Sequence, residues 1–192
     1  MRPRVVIAAI AVALVALLPV SIQLAGAQGT TAADRAGPCA NADRPAEELT
    51  ALELRKAARC LINTERAVRG RSKLARKRDL QRVAQKHAVT MVDTDCLAHR
   101  CGEEDELEER IRRTGYFEGA DAWQYAESTG CGVSAKAMVT NWMAHGYHRV
   151  NILEKTYRDI GVGALPKPVE SRCDDGYATF AVVFGWRTPP GA

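Results

Sequence analysis

The chain has 192 residues, six cysteines and a formal charge of +4. That charge is too small to argue for nucleic-acid binding or for electrostatic attachment to a membrane. The length suffices for one domain with a sizeable core, and there is no internal repeat or low-complexity tract.

The first residues set the expected compartment. Arg2 and Arg4 precede an almost wholly apolar run from Val5 to Val20, and Ala25-Gly26-Ala27 follows as a small-x-small cleavage site. This pattern predicts a secretory signal over residues 1–27, with Gln28 as the mature start and a secreted, extracellular product. The apolar run is short for a stable span and no second one follows, so no membrane span is expected after cleavage. Removing Arg2 and Arg4 takes the charge from +4 to +2 and leaves roughly 165 residues, still enough for a core. Residues 28–45 are rich in Gly, Ala, Thr and Pro and read as a flexible lead-in. A domain over 46–187 and a tail over 188–192 complete the division.

In chain order, Glu47 to Val68 reads as a helix, with Leu54, Ala58, Leu61, Ile62 and Val68 at helical spacing, ended by Arg69-Gly70. A second helix runs from about Lys77 to Asp93 on a stripe of Leu80, Val83, Ala84, His87 and Met91. His87 falls on that apolar face and is expected to be a hydrogen-bonded core residue. A short third helix covers Glu106 to Arg113. Trp123 to Ser128 reads as a strand with Glu127 at its edge or end. Ser134 is placed to cap a fourth helix whose inward stripe is Ala135, Met138, Val139 and Trp142. Gly146 is expected to end it, leaving His145 exposed. Late strands are expected at Asp159 to Ala164 and Tyr177 to Trp186. Helices first and sheet pairing later predict an α+β fold, an α-β-α sandwich with helices flanking a mostly antiparallel sheet.

Six cysteines in an exported chain favour disulfides, and six allow fifteen pairings. Cys39 with Cys60 would staple the lead-in to the first helix. Cys96 with Cys101 could close a short loop around His99, leaving Cys131 and Cys173. No CxxC spacing supports a Cys/His metal site.

Three residues stand out as candidates for chemistry: His99 in LAHRCG, Glu127 in QYAEST and His148 in NWMAHGYHRVNIL. Gathered in one cleft, two imidazoles and a carboxylate could share protons near neutrality or hold a divalent cation such as zinc with an open position. Glu106 would then serve as an orienting group or base. No Gly-x-Ser-x-Gly elbow surrounds Ser128 or Ser134, so serine nucleophile chemistry is not expected. The basic run Arg69 to Arg78 and the acidic run Glu103 to Glu109 read as solvated faces, the latter lacking the spacing of a calcium loop.

From about Ala51 to Trp186 the chain resembles the CAP superfamily of cysteine-rich secretory, antigen 5 and pathogenesis-related proteins, and looks closest to its secreted bacterial branch. The resemblance rests on CLINTERAVRG, LQRVAQKHAVTM, LAHRCG, RIRRTGY, WMAHGYHRVNIL, IGVGA and TFAVVFG, in that order. It implies a central cleft with His99 and His148 as the two histidines and Glu127 as the glutamate of a Gly-Glu-Asn element. By spacing, Glu106 matches the family's further acid. No assembled catalytic apparatus can be read from the chain itself, and with the precedents the resemblance supplies the expectation is a binding module for a lipid, cell-envelope or protein ligand, with a metal-dependent extracellular hydrolase as the alternative. Ala126 and Ser128 stand where Gly and Asn are usual. His145-Gly146-Tyr147 replaces Ser-Pro-Gly, and Tyr147 is bulky enough to narrow the cleft.

Overall fold

The computed structural model describes residues 39–189. The expected signal and the first part of the lead-in lie outside them. From Cys39 onward the lead-in is packed rather than flexible. Cys39 and Ala42 are buried, Cys39 is bonded to Cys60, and Lys136 N donates to Ala42 O.

After a 3-10 turn at Ala46–Glu48, helix α1 spans Ala51–Ala67. It starts later than the periodicity suggested because Thr50 and Glu53 form a reciprocal cap. The Thr50 hydroxyl accepts from Glu53 N, and the Glu53 carboxylate accepts from Thr50 N. Gly70, at φ 67°, supplies the left-handed residue just past its end. Then come β1 (Ala75–Arg76), α2 (Arg78–Asp93), α3 (Leu107–Arg112), β2 (Trp123–Gly132), α4 (Ala135–Ala144), α5 (Gly146–Leu153), β3 (Asp159–Leu165) and β4 (Ala178–Arg187). Ser134 Oγ accepts from Ala137 N, as its sequence position predicted for an N-cap. Gly146 does end α4, but a new helix begins there, and α5 is the element that carries His148.

The sheet order is β1-β3-β4-β2. Only β1 with β3 is parallel, so the sheet is mixed. Strand β4 is central and buried along eight consecutive residues, because helices cover both its faces. Phe180, Val182 and Phe184 meet α1, α4 and α5, while Ala181 and Val183 meet α2 and α3. The result is the α-β-α sandwich that was expected. The cysteines pair as Cys39–Cys60, Cys96–Cys101 and Cys131–Cys173.

Both edges of this small sheet are covered by helix side chains. On one side, the amides of Gln81 and Gln85, one turn apart on α2, bond the backbone of Val162 and Ala164 where β1 has already ended. They replace a neighbouring strand. On the other side, Trp142 Nε1 donates to Thr129 O and Asn151 Nδ2 to Glu127 O on β2. Helix α2 comes this close because Gly161 and Gly163 lack side chains; a Cβ on either would collide with the backbone of Leu80 or Ala84. Buried Arg66 fixes the end of α5, donating to Ser72 O, Ile152 O and Glu154 O at 2.7–2.8 Å.

Gly163→Ala must therefore push α2 off the sheet. Urea unfolding is expected to show a loss of about 2–3 kcal/mol, an overpacking penalty, whereas Gly146→Ala, which meets open space, should fall within about 0.5 kcal/mol of wild type.

Candidate functional site

Glu127 lies mid-strand on β2, the sheet's edge strand, with its side chain 1% exposed. A carboxylate removed from water to that degree needs compensation from its neighbours. Arg110 of α3 supplies it, with Nη2 3.3 Å from Oε1, while the same nitrogen donates to His99 O at 2.7 Å. His99 Nδ1 lies 3.0 Å from Glu127 Oε2. His87 Nε2 approaches that oxygen to 3.6 Å but bonds Ala98 O instead, at 2.9 Å.

His99 sits on the loop closed by the Cys96–Cys101 disulfide, as the spacing suggested. Beneath that loop, Glu104 Oε2 accepts from Cys101 N and lies 2.7 Å from His87 Nδ1. Since His87 Nε2 faces a carbonyl and must donate, the Nδ1–Oε2 contact also contains a proton. His87 is thus the hydrogen-bonded core histidine that its apolar stripe implied. It also contacts the Glu104 carboxylate and lies 3.6 Å from that of Glu127, which the stripe did not indicate.

His148, on α5, is 9% exposed, and its Nδ1 is buried without a partner among the described residues. Its ring lies 4.2 Å from that of Tyr147, whose own side chain is turned to solvent. Burial, reinforced by the charges of His99 and His145, lowers its pKa to about 4. His99 moves the other way: the Glu127 hydrogen bond raises its pKa despite opposing burial and Arg110. Near neutrality the imidazole at position 148 is therefore neutral and the one at position 99 more basic than usual.

Glu106 is placed elsewhere. Its side chain is 75% exposed and pairs with Arg100. The buried acid near the first histidine is Glu104, two residues earlier, with a side chain 7% exposed. Nothing in the run Glu103 to Glu109 marks which acid turns inward; only its position after the disulfide-closed turn hints at it. Arg110 was visible inside RIRRTGY, yet its role was not, because a strand carboxylate's counter-ion is identifiable only once the fold is known. His145 is exposed, with Nδ1 against Asn141 O. Arg110 and Glu104 also line a cavity of about 520 Å³ between α2 and α3, which His99, Glu127 and His148 do not line.

Among the described residues, no group of three or more His, Cys, Asp or Glu side chains is arranged to hold a metal ion. The physical reason at the expected His99–Glu127–His148 set is that Glu127 is already engaged by His99 Nδ1 and Arg110. As a direct ligand it does not fit. Among the described residues, the ring nitrogens of this set not engaged in hydrogen bonds are Nε2 of His99 and both nitrogens of His148, of which Nδ1 is buried.

The sequence matches the cysteine-rich secretory protein family, CAP, over residues 60–184. No curated protein matches it. Among solved structures it resembles an outer surface protein of Borrelia burgdorferi at 19% identity and TM-score 0.60, covering 73% of this chain and 97% of that one. It also resembles an extracellular protein containing an SCP domain from Bacillus anthracis str. Ames at 20% identity and TM-score 0.55. That match covers 71% of this chain and 43% of the other. Identities this low carry the fold alone.

The opposed histidine shifts give opposite pH signs. His148, with its folded pKa below the ordinary value of 6.5, lets stability fall as pH drops from about 6.5 toward about 4. His99, raised when folded, adds stability that is full at low pH and lost as pH rises through its folded pKa. Histidine NMR titration should give the order His148 below His99, with Glu127→Gln lowering His99. In urea unfolding, His148→Phe should flatten the loss between pH 6.5 and pH 4. Arg110→Met, which leaves Glu127 without its guanidinium, should cost about 3–5 kcal/mol at pH 7.

Proposed function

This chain belongs to the cysteine-rich secretory protein (CAP) family, and we propose that it works outside the cell as a binding module. The ligand is taken at the exposed imidazole of His99 and at the partly covered ring of His148 beside Tyr147. One observation carries this reading: Glu127, the carboxylate that a hydrolase would use as base or metal ligand, is engaged by His99 and Arg110. It serves to orient His99 and fix which nitrogen faces out. No nucleophile stands ready either. Ser128 is fully buried, its neighbour Glu127 points to the opposite face of the strand, and Ser134 caps α4. An extracellular setting agrees with three disulfides and an N-terminal secretory pattern. The exposed ring of Tyr147 beside His148 gives the mouth an apolar surface. A lipid or cell-envelope component, or a protein segment, with an acceptor-bearing polar group suits that combination.

The second reading is a metal-dependent extracellular hydrolase, and the split between His99 and His148 favours it. Groups whose proton affinities are driven apart in one cleft form natural donor and acceptor pairs. A divalent cation such as zinc would have His99 Nε2 and His148 as its donors, with Glu127 behind His99, and would supply Lewis acidity when bound.

Amide NMR of the protein from Gln28 onward separates the two. Short-chain phosphatidylcholine micelles and zinc are titrated in parallel, and turnover is followed on ester and peptide panels. The expected result is a set of shifts around His99, Tyr147 and His148 that His148→Ala abolishes, with no turnover. Hydrolysis that disappears in His99→Ala would replace this reading with the enzyme.

A further inference from the structure

The edge of the sheet along β1 and β3 carries a charge arrangement that the cleft does not use. Helix α1 lies on one face of the sheet and α2 on the other. Arg55 of α1 reaches across the edge to α2, its Nη1 2.6 Å from Gln85 Oε1, and Gln85 is itself held by Ala164 of β3. Arg59 follows Arg55 by one helical turn, and Arg76 extends the row from β1. Arg55 and Arg59 are half-buried. Burial first, and then repulsion from Arg76, lower the pKa of both.

No acid offsets these charges. The ion pairs among the described residues use Arg44, Arg69, Arg82, Arg100, Arg110, Arg112, Arg113 and Lys136 as cations. Arg55, Arg59 and Arg76 take part in none, nor do Lys73, Lys77 and Arg78 beside them. The segment 69–78 holds six cations and no acid. A solvated face keeps its arginines extended into water. Here Arg55 is held against the sheet edge by Gln85, Arg59 is half-buried one turn on, and both feel the like charge of Arg76, a cost that an opposite charge would lower.

We propose that the surface carrying Arg55, Arg59 and the exposed Arg76 binds phosphate-bearing ligands. Guanidinium groups match phosphate oxygens with paired, charge-assisted hydrogen bonds. Arg59 spends none of its donors on the described residues, and Arg55 is held in place by Gln85. Two arginines a turn apart, about 6 Å between Cβ atoms, suit neighbouring phosphates better than a single one.

The test is thermal melting of the whole mature protein with sodium tripolyphosphate against sodium chloride of equal ionic strength, together with Arg59→Gln and Arg76→Gln. Tripolyphosphate is expected to raise the Tm of wild type beyond the chloride control. Each variant should weaken apparent affinity by at least about tenfold, the loss of one or more charge-assisted bonds. Without ligand, at low salt, each variant should melt about 1 °C higher, since like-charge repulsion is relieved. Cosedimentation with phosphatidylglycerol vesicles but not phosphatidylcholine vesicles, lost in the same variants, would support the site and assign the phosphate to a lipid headgroup. Tripolyphosphate binding without cosedimentation would support it with a soluble or polymeric source. The proposal is overturned if tripolyphosphate does no more than chloride and anionic vesicles are not bound, or if both variants bind as wild type does.

Discussion

A carboxylate withdrawn into the edge strand of a four-stranded sheet must find its counter-charge among the elements around it, and for Glu127 these are α3 and the 96–101 loop. Arg110 and His99 make the direct contacts, and His87 of α2 closes the space below. Uncompensated, such a charge would cost several kcal/mol. The network therefore specifies where α3 and the loop can sit as well as what the cleft presents. One arginine ties the loop backbone to the strand, since Arg110 Nη2 meets both His99 O and the Glu127 carboxylate. Moving any member uncovers charge on another.

The network in turn depends on how closely α2 approaches the sheet. Gly161 and Gly163 let the backbone of Leu80 and Ala84 rest on β3. That approach brings Gln81 and Gln85 into bonding reach of the strand edge and carries His87, on the same helix, beneath Glu127. At the opposite edge the indole of Trp142 and the amide of Asn151 do the corresponding work on β2, and Asn151 shares α5 with His148. Closing both edges with helix side chains thus fixes α2, which carries His87, and α5, which carries His148, against the sheet. Arg66, bonded to carbonyls at the end of α5, holds that helix from behind.

Much of this was legible beforehand, for reasons that differ by element. The stripes of α1, α2 and α4 have helical period, Gly70 marks the end of α1 and Ser134 the start of α4, and Phe180 to Phe184 form an apolar run short enough to be a buried strand. Placing His99 inside a disulfide-closed loop needed only spacing. Helix α5 escaped because Gly146 signals a stop, and eight residues of mixed character carry little periodicity to announce a restart. Glu106 stood in for Glu104 because an acid-rich run has no internal mark of which member turns inward; that depends on His87 and Cys101 being near. His87 looked like plain core since a stripe reports burial and says nothing about which polar groups a buried imidazole will meet.

The two charged regions of the molecule differ in a way that bears on what each is for. Around Glu127 opposite charges meet one another, with Arg110 and His99 against the carboxylate, although Glu104 Oε1, Glu127 Oε1, Arg110 Nε and Nη1 and His148 Nδ1 are buried without a hydrogen-bond partner among the described residues. Each charge in that set has an opposite charge within reach, so its ionic compensation comes from the chain itself. Along β1 and β3 the situation is reversed. Burial and the charge of Arg76 both weigh on Arg55 and Arg59, and none of the three takes part in an ion pair among the described residues. An anion bound there, as proposed, would relieve that repulsion, so affinity and destabilisation would share a single physical source.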